Sequence, residues 1–232
     1  MPGDDAPSRL PGGAVTFMFT DVEGSTRLLQ ALGEATFREA LDRHHVLVRK
    51  ELDRHGGVEV RTIGDAFFAA FTDPGAALLA CAGIQRAFAA EAWPGSTRFA
   101  VRIGVHCGRV EPHHDDYVGL AVHQAARIAA TGHGGQVVVS AAVREATDPE
   151  RDGLQLVNLG EHLLKDFDVP IQLHQLAAPD LARDFPALST PRRRDHHLRA
   201  RTTTMIGQIL RRWATYFHAS GSRTLDPASQ TA

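Results

Sequence analysis

Short apolar runs along the chain alternate with longer stretches whose apolar residues repeat at helical spacing. Ala14–Thr20 is apolar and rich in β-branched and aromatic residues, which predicts a buried strand that stops at Asp21. From Ser25 to His55, leucines and other apolar residues recur every three or four positions, which predicts a long helix with a candidate break at Gly33. A strand followed by a helix is therefore the first predicted unit.

Two further apolar runs flank the pair Gly64–Asp65. The runs Val58–Ile63 and Ala66–Phe71 are predicted to form a hairpin, because a Gly-Asp pair suits a tight turn. Asp73–Pro74 then predicts the start of a helix, with the aspartate as N-cap and the proline at the first helical position. The alanine-rich segment that follows continues this helix to Ala92.

The rest of the chain predicts a short helix directly after a strand that ends at Ser140. The other predicted elements are a strand at Phe99–Val110, a helix at Leu120–Thr131, and strands at Gln136–Ser140, Leu154–Leu159 and Ile171–Leu176. The order β-α-β-β-α-β with an α/β extension predicts an α+β fold built on a ferredoxin-like (split βαβ) sheet with helices on one face. We expect this domain to span residues 14–178, after a flexible N-terminal arm at 1–13.

Composition narrows the class of protein. The 232 residues include 43% hydrophobic residues, enough for a packed core, and the formal net charge of −2 excludes a strongly basic nucleic-acid binder. Cys81 and Cys107 lack CxxC spacing, which predicts reduced thiols. No apolar signal-peptide core and no stretch of about 20 apolar residues is present. We therefore expect a cytoplasmic protein without a nucleic-acid partner.

The C-terminal segment 179–232 is predicted to be a linker and a basic tail. After Pro191, arginines greatly outnumber acidic residues, and apolar residues between positions 205 and 217 share one helical face. A basic amphipathic helix at 205–217 that contacts a membrane surface or a partner is one interpretation. A helix folded onto its own domain, or a loosely ordered tail, is the favoured one.

Two carboxylates are predicted to meet at one edge of the sheet. In a ferredoxin-like sheet the end of strand one neighbours the start of strand three, which places Asp21 beside Asp65. Adjacent carboxylates repel unless they are protonated or bridged by cations, and their oxygens suit Mg²⁺ or Mn²⁺. Gly24, Ser25 and Thr26 follow at a helix N-terminus, where backbone N–H groups can hold a phosphate. Together these residues predict two-metal phosphoryl chemistry, although each aspartate taken alone is usually a turn residue or a helix cap.

Several ordered motifs resemble the catalytic domain of class III adenylate/guanylate (nucleotidyl) cyclases. They are VTFMFTDVEGST at 15–26, HGGVEVRTIGDAFFAAF at 55–71, DYVGLAVHQAARIAATGHGGQVVVS at 116–140 and LGEHLLKDF at 159–167. The similarity covers about residues 14–176. It implies an adenylate cyclase of intracellular signalling, which converts ATP to cyclic AMP and pyrophosphate with two divalent cations, Mg²⁺ or Mn²⁺, at a homodimer interface.

The resemblance also implies a role for each matching residue. Asp21 and Asp65 match the metal-binding aspartates, with the carbonyl of Val22 as a further ligand. Asp116 matches the acidic position that accepts a hydrogen bond from the adenine amino group. Arg127 matches the arginine that stabilises the charge developing on the α-phosphate. Metal-binding and base-binding residues come from opposite protomers in the family, which implies a site that exists only in a dimer.

Some matching positions depart from the family pattern. Lys165 matches the lysine that contacts the phosphates, but Arg61 stands where adenylate cyclases usually have a lysine that donates to adenine N1. His123 stands where the family usually has an asparagine that positions the ribose, and Val118 replaces a common aromatic residue. These departures support an alternative hypothesis, a catalytically weak or inactive cyclase-fold module that binds nucleotide and signals by dimerising.

Overall fold

The computed structural model describes residues 10–113 and 115–191, and every structural statement below refers to them. The strands are β1 (Gly13–Val22), β2 (Val58–Ile63), β3 (Ala66–Phe71), β4 (Val101–Val110), β5 (Pro112–His113), β6 (Asp116–Tyr117), β7 (Val137–Ser140), β8 (Gln155–His162) and β9 (Ile171–Ala177). The helices are α1 (Ser25–Arg54), α2 (Pro74–Ala90), α3 (Leu120–Thr131) and α4 (Ala141–Ala146), with short 3-10 helices at Pro94–Ser96 and Pro149–Asp152.

Seven of these strands form one mixed sheet in the order β2-β3-β1-β4-β7-β9-β8. The central strand β1 is antiparallel to both neighbours, so that Phe19 lies opposite Phe68 of β3 and Gly104 of β4. β4 pairs with β7 in parallel, and α3 makes the connection between them. The first four strands have the ferredoxin-like arrangement, so the predicted fold class is confirmed.

Helices α1 and α2 cover one face of the sheet. Val48 of α1 and Leu78 of α2 are buried in one apolar core with Met18 of β1 and Val105 of β4. α3 also packs closely against β4, at Gly104, which carries no side chain to keep the helix away. A Cβ at this glycine would lie 2.2 Å from the backbone nitrogen of α3 residue Ala129. This close approach determines the distance between α3 and the sheet.

The end of β1 differs from the prediction. The strand was expected to stop before Asp21, but its backbone continues to pair with β4, with Asp21 opposite Arg102 and Val22 opposite Val101. Asp21 is therefore held inside a strand rather than in a loop. This continuation was hidden because an aspartate usually ends a strand pattern.

Most other element boundaries agree with the sequence patterns. α1 is interrupted at Gly33, which has φ 75° and ψ 165°. Asp73 caps α2 and accepts a hydrogen bond from the N–H of Gly75 at 2.8 Å, although the helix ends at Ala90 and not at Ala92. The strand predicted from Phe99 begins two residues later, at the start of β4.

The predictions for the chain ends fall largely outside the described residues. These exclude residues 1–9 and 192–232, and with them most of the predicted arm and the whole predicted helix at 205–217. After β9, the described segment 178–191 contacts the domain, since the N–H of Ser189 donates to the carbonyl of Thr131 at 2.8 Å. In the part of the chain that the structure describes, no helix has the length and apolar character to span a bilayer.

Candidate active site

Asp21 is buried near the end of β1, with 1% of its surface exposed. Its Oδ2 accepts hydrogen bonds from the guanidinium of Arg102, including one from Nε at 2.8 Å. Its Oδ1 is buried and has no hydrogen-bond partner among the described residues. Burial raises the pKa of the Asp21 carboxyl, and the positive charge of Arg102 opposes that rise. No hydrogen bond within the described residues therefore offsets the lost hydration of this oxygen.

Asp65 lies in the turn between β2 and β3 and reaches back to the end of β1. Its Oδ2 accepts a hydrogen bond from the N–H of Val22 at 3.2 Å, and the hydroxyl of Ser25 also donates to its carboxylate. Burial and, as the second cause, the negative charge of Asp21 together raise the pKa of Asp65 to about 6. The structure therefore brings these two carboxylates together at one edge of the sheet.

This pair of carboxylates fits a divalent cation. Two buried carboxylates, of which Asp21 raises the pKa of Asp65, are unfavourable as charged groups without a cation between them, and the unpartnered Oδ1 of Asp21 supplies a hard oxygen ligand. No group of three or more His, Cys, Asp or Glu side chains suited to a metal occurs in the described ranges. The pair therefore suits Mg²⁺ or Mn²⁺, which take one or two carboxylates and complete their shells with water and substrate phosphates.

The loop after β1 carries the predicted phosphate-binding residues. Gly24 is the N-cap of α1 in the left-handed conformation, with φ 68° and ψ 27°, which favours glycine. Ser25 is buried and directed at Asp65, whereas Thr26 is exposed. The first turn of α1 contains no acidic residue of its own, so its backbone N–H groups, at the positive end of the helix dipole, can attract an anion. An anion can therefore approach α1 beside the two carboxylates.

Arg61 and Asp116 form an ion pair, although 55 positions separate them in the sequence. Asp116 also accepts a hydrogen bond at Oδ1 from the N–H of Tyr117 at 2.8 Å. The Tyr117 ring packs edge-on against Phe17, with 5.0 Å between centroids, and anchors the short β5–β6 hairpin.

Helix α3 carries His123 and Arg127 one turn apart. The guanidinium of Arg127 forms an ion pair with Asp166, in the loop between β8 and β9. Burial lowers the pKa of His123, the charge of Arg127 lowers it further, and the charge of Asp166 opposes the shift. Lys165 is exposed in the same loop and has no hydrogen bond or ion pair within the described part of the chain.

The predicted site residues thus form two groups within one protomer. The first group, the carboxylate edge, consists of Asp21, Val22, Gly24, Ser25, Thr26 and Asp65. The second group, the arginine side, consists of Arg61, Asp116, His123, Arg127 and Lys165. As far as the structure is described, neither acid of the carboxylate edge has a hydrogen bond or an ion pair with Arg61, Asp116 or Arg127.

Two charged residues at the site were missed from the sequence. Arg102 interrupts the apolar strand β4 and lies opposite Asp21. The signal for this ion pair in the sequence was a cationic residue in one strand and an acidic residue at the end of the strand that pairs with it. Asp166 is the one non-glycine residue of the described ranges with a positive φ, 67°. That conformation leaves no mark in the sequence pattern, so Asp166 could not have been found from it.

Known proteins are similar to this chain in sequence and in structure. A family model for the "Adenylate and Guanylate cyclase catalytic domain" matches residues 10–177. An uncharacterized protein of Mycobacterium tuberculosis is 36% identical over 206 residues, which cover 87% of this chain and 70% of that protein. An adenylate cyclase of Lachancea kluyveri is 34% identical over 155 residues, 56% of this chain but 8% of that protein. The structure of an adenylate cyclase from Trypanosoma brucei in its monomeric state superimposes with a TM-score of 0.71 at 28% identity, covering 79% of this chain and 95% of that one.

Proposed function

The chain belongs to the adenylate and guanylate cyclase catalytic domain family, and from this premise we propose that it converts ATP to 3′,5′-cyclic AMP and pyrophosphate as a homodimer. The observation that carries the proposal is the buried pair of Asp21 and Asp65, with one oxygen of Asp21 left without a partner. Two such charges disfavour the folded state by themselves. Divalent cations bound beside the two carboxylates, together with nucleotide phosphates, would offset this unfavourable burial of charge.

Two cations, Mg²⁺ or Mn²⁺, are proposed to be held by the two aspartates and the carbonyl of Val22. When bound, they lower the pKa of the ribose 3′-hydroxyl and neutralise charge on the α-phosphate. Arg102 keeps a positive charge at this edge, beside Asp21. The backbone N–H groups of Gly24–Thr26 are proposed to bind phosphate oxygens at the start of α1.

The arginine side is proposed to come from the second protomer. Arg127 supplies preorganised positive charge to the α-phosphate, Lys165 contacts the phosphates, and His123 donates a hydrogen bond to the ribose. Two observations support a shared site. Among the described residues, neither Asp21 nor Asp65 has a hydrogen bond or an ion pair with Asp116 or Arg127. The apolar side chains of Val118 and Leu120, next to the arginine side, are 48% and 75% exposed.

Asp116 and Arg61 are proposed to read the base. A carboxylate can accept a hydrogen bond from the amino group of adenine, whereas guanine presents a carbonyl oxygen at that position. The guanidinium of Arg61 lies against Asp116 and can donate to a ring nitrogen while it keeps this contact. The pair therefore favours ATP over GTP as the substrate.

A product assay tests the proposal directly. Purified protein is incubated with Mn²⁺ and either ATP or GTP, at a concentration where sedimentation demonstrates a dimer. We expect cyclic AMP from the wild-type protein and a higher kcat/KM for ATP than for GTP. Asp21→Asn, with the same shape and no charge, serves as the matched control. Absence of cyclic nucleotide from a demonstrated wild-type dimer would contradict the proposal.

A second candidate function is nucleotide binding without turnover in a dimerising signalling module. The observation that favours it is the occupation of both oxygens of Asp116, one by Arg61 and one by the N–H of Tyr117. Arg61 and His123, which both depart from the family pattern, also support nucleotide binding without turnover. Titration of a fluorescent ATP analogue distinguishes the two functions. Binding of the analogue with Mn²⁺, without any cyclic product, supports the module.

A further inference from the structure

Asp166 combines two features that draw attention to the loop between β8 and β9. Its backbone has φ 67°, a conformation that glycine adopts without strain and other residues adopt rarely. Its side chain is 60% exposed, so burial in the core does not hold the residue in that conformation. A strained non-glycine conformation on an exposed loop persists only where another contact holds it, and such residues cluster at functional sites.

That contact is the ion pair with Arg127. Asp166 is the hydrogen-bond partner of the Arg127 guanidinium in the described part of the chain, and Arg127 is the partner of Asp166. The pair joins α3 to a loop 39 positions further on, and the Arg127 side chain is only 17% exposed. A single carboxylate oxygen accepts from one terminal nitrogen of the guanidinium. The other N–H groups remain available for a phosphate, because a guanidinium has five donors.

We propose that Asp166 is a positioning residue, which holds the guanidinium of Arg127 in the orientation needed to contact the α-phosphate. This inference rests on the proposed cyclase function. An arginine side chain has several rotatable bonds, and fixing it before the substrate arrives removes entropy that would otherwise be lost in the transition state. Asp166 acts through Arg127 and does not itself touch the substrate.

Substitution of Asp166 by glycine and by asparagine tests the proposal. Asp166→Gly suits the left-handed backbone and removes the side chain, so the loop keeps its conformation while Arg127 loses its partner. Asp166→Asn also tolerates this backbone and retains an acceptor oxygen. We expect Asp166→Gly to lower kcat about three- to fivefold with little change in KM, and Asp166→Asn to recover most of that loss.

Two controls separate positioning from other effects. Asp168→Asn changes the same charge two residues away, on an exposed side chain, and is expected to leave kcat unchanged. In an Arg127→Gln background, Asp166→Gly is expected to have no further effect, because the residue it positions is gone. A wild-type kcat in Asp166→Gly, or an equal loss in both backgrounds, would overturn the proposal.

A spectroscopic readout keeps the inference testable apart from turnover. The Nε–Hε signal of Arg127, assigned by its disappearance in Arg127→Lys, reports the mobility of the guanidinium in NMR relaxation measurements. We expect a rigid signal in the wild-type protein and in Asp166→Asn, and a mobile one in Asp166→Gly. If the wild-type protein makes no cyclic nucleotide but Asp166→Gly releases Arg127, the proposed function fails while the positioning contact stands. Equal mobility in all three proteins contradicts positioning.

Discussion

The carboxylate edge and the arginine side are held in place by different physical means. Asp21 is fixed by strand pairing, and it and Asp65 are buried to 1% and 2% exposure. The arginine side is fixed by ion pairs between partly exposed side chains, Arg61 with Asp116 and Arg127 with Asp166. Backbone pairing fixes Asp21 through the strand itself, whereas each ion pair on the arginine side fixes one guanidinium through a single carboxylate partner. The proposed cation site is therefore set by the backbone, and the proposed nucleotide-contacting surface by side-chain ion pairs.

The largest expected effect is at the carboxylate edge. Asp21→Asn keeps the shape of the side chain but removes the charge that is proposed to hold a divalent cation, so we expect kcat/KM to fall by about 1000-fold. Initial rates of cyclic AMP formation at saturating Mn²⁺ measure this effect. Since Arg102 loses its ionic partner in the same variant, thermal unfolding should be recorded to exclude global unfolding as the cause. A loss below about tenfold would show that Asp21 does not hold the metal.

The next largest effect is expected on the arginine side. Arg127→Gln removes the positive charge proposed for the α-phosphate, so we expect kcat to fall by about 100-fold. The Mn²⁺ concentration that gives half-maximal rate should stay as in the wild-type protein, because the carboxylate edge is unchanged. A variant whose metal requirement shifts together with its rate would mean that the two groups are not separate.

The burial of His44 predicts a pH-dependent stability. His44 of α1 is fully buried against Phe67, Phe88 and Phe99, and its ring nitrogens have no hydrogen-bond partner among the described residues. Burial, with smaller effects of the charges of His45 and Arg49, lowers its pKa to about 3. The folded state therefore excludes a proton that the unfolded chain binds below pH about 6.5.

His44→Phe should remove this part of the pH dependence. The contribution of the neutral imidazole is complete above the unfolded pKa and is lost as pH falls from about 6.5 towards 3, so the wild-type protein loses about 2 kcal/mol between pH 7.5 and 5 through His44. Urea unfolding of both proteins at the two pH values measures the difference. An equal loss of stability in both would show that His44 is already protonated, or is exposed, in the folded state.

The smallest expected effect concerns choice of base. Arg61→Lys places a compact ammonium group beside Asp116. We expect the ratio of kcat/KM for ATP to kcat/KM for GTP to change by about three- to tenfold, while kcat for ATP stays within about threefold of the wild-type value. The ratio is measured by competition between the two nucleotides in one reaction. An unchanged ratio would mean that this ion pair does not contact the base.

The sequence predicted the fold well because the fold depends on periodic patterns. The hairpin around Asp65 and the cap at Asp73 follow from local chemistry that is legible in single residues. The extension of β1 through Asp21 and the role of Arg102 were missed, because both depend on which residue lies opposite in a neighbouring strand. The ion pair of Asp166 was missed for a similar reason, since a loop conformation decides it.

One mixing experiment tests most directly whether the carboxylate edge of one protomer works with the arginine side of another. Asp21→Asn and Arg127→Gln, each nearly inactive alone, are mixed in equal amounts and allowed to exchange subunits. Half of the dimers are then mixed, and each mixed dimer contains one site with both residues intact, so we predict recovery of about one quarter of wild-type activity. A mixture that remains inactive, although subunit exchange is demonstrated, would contradict the shared site.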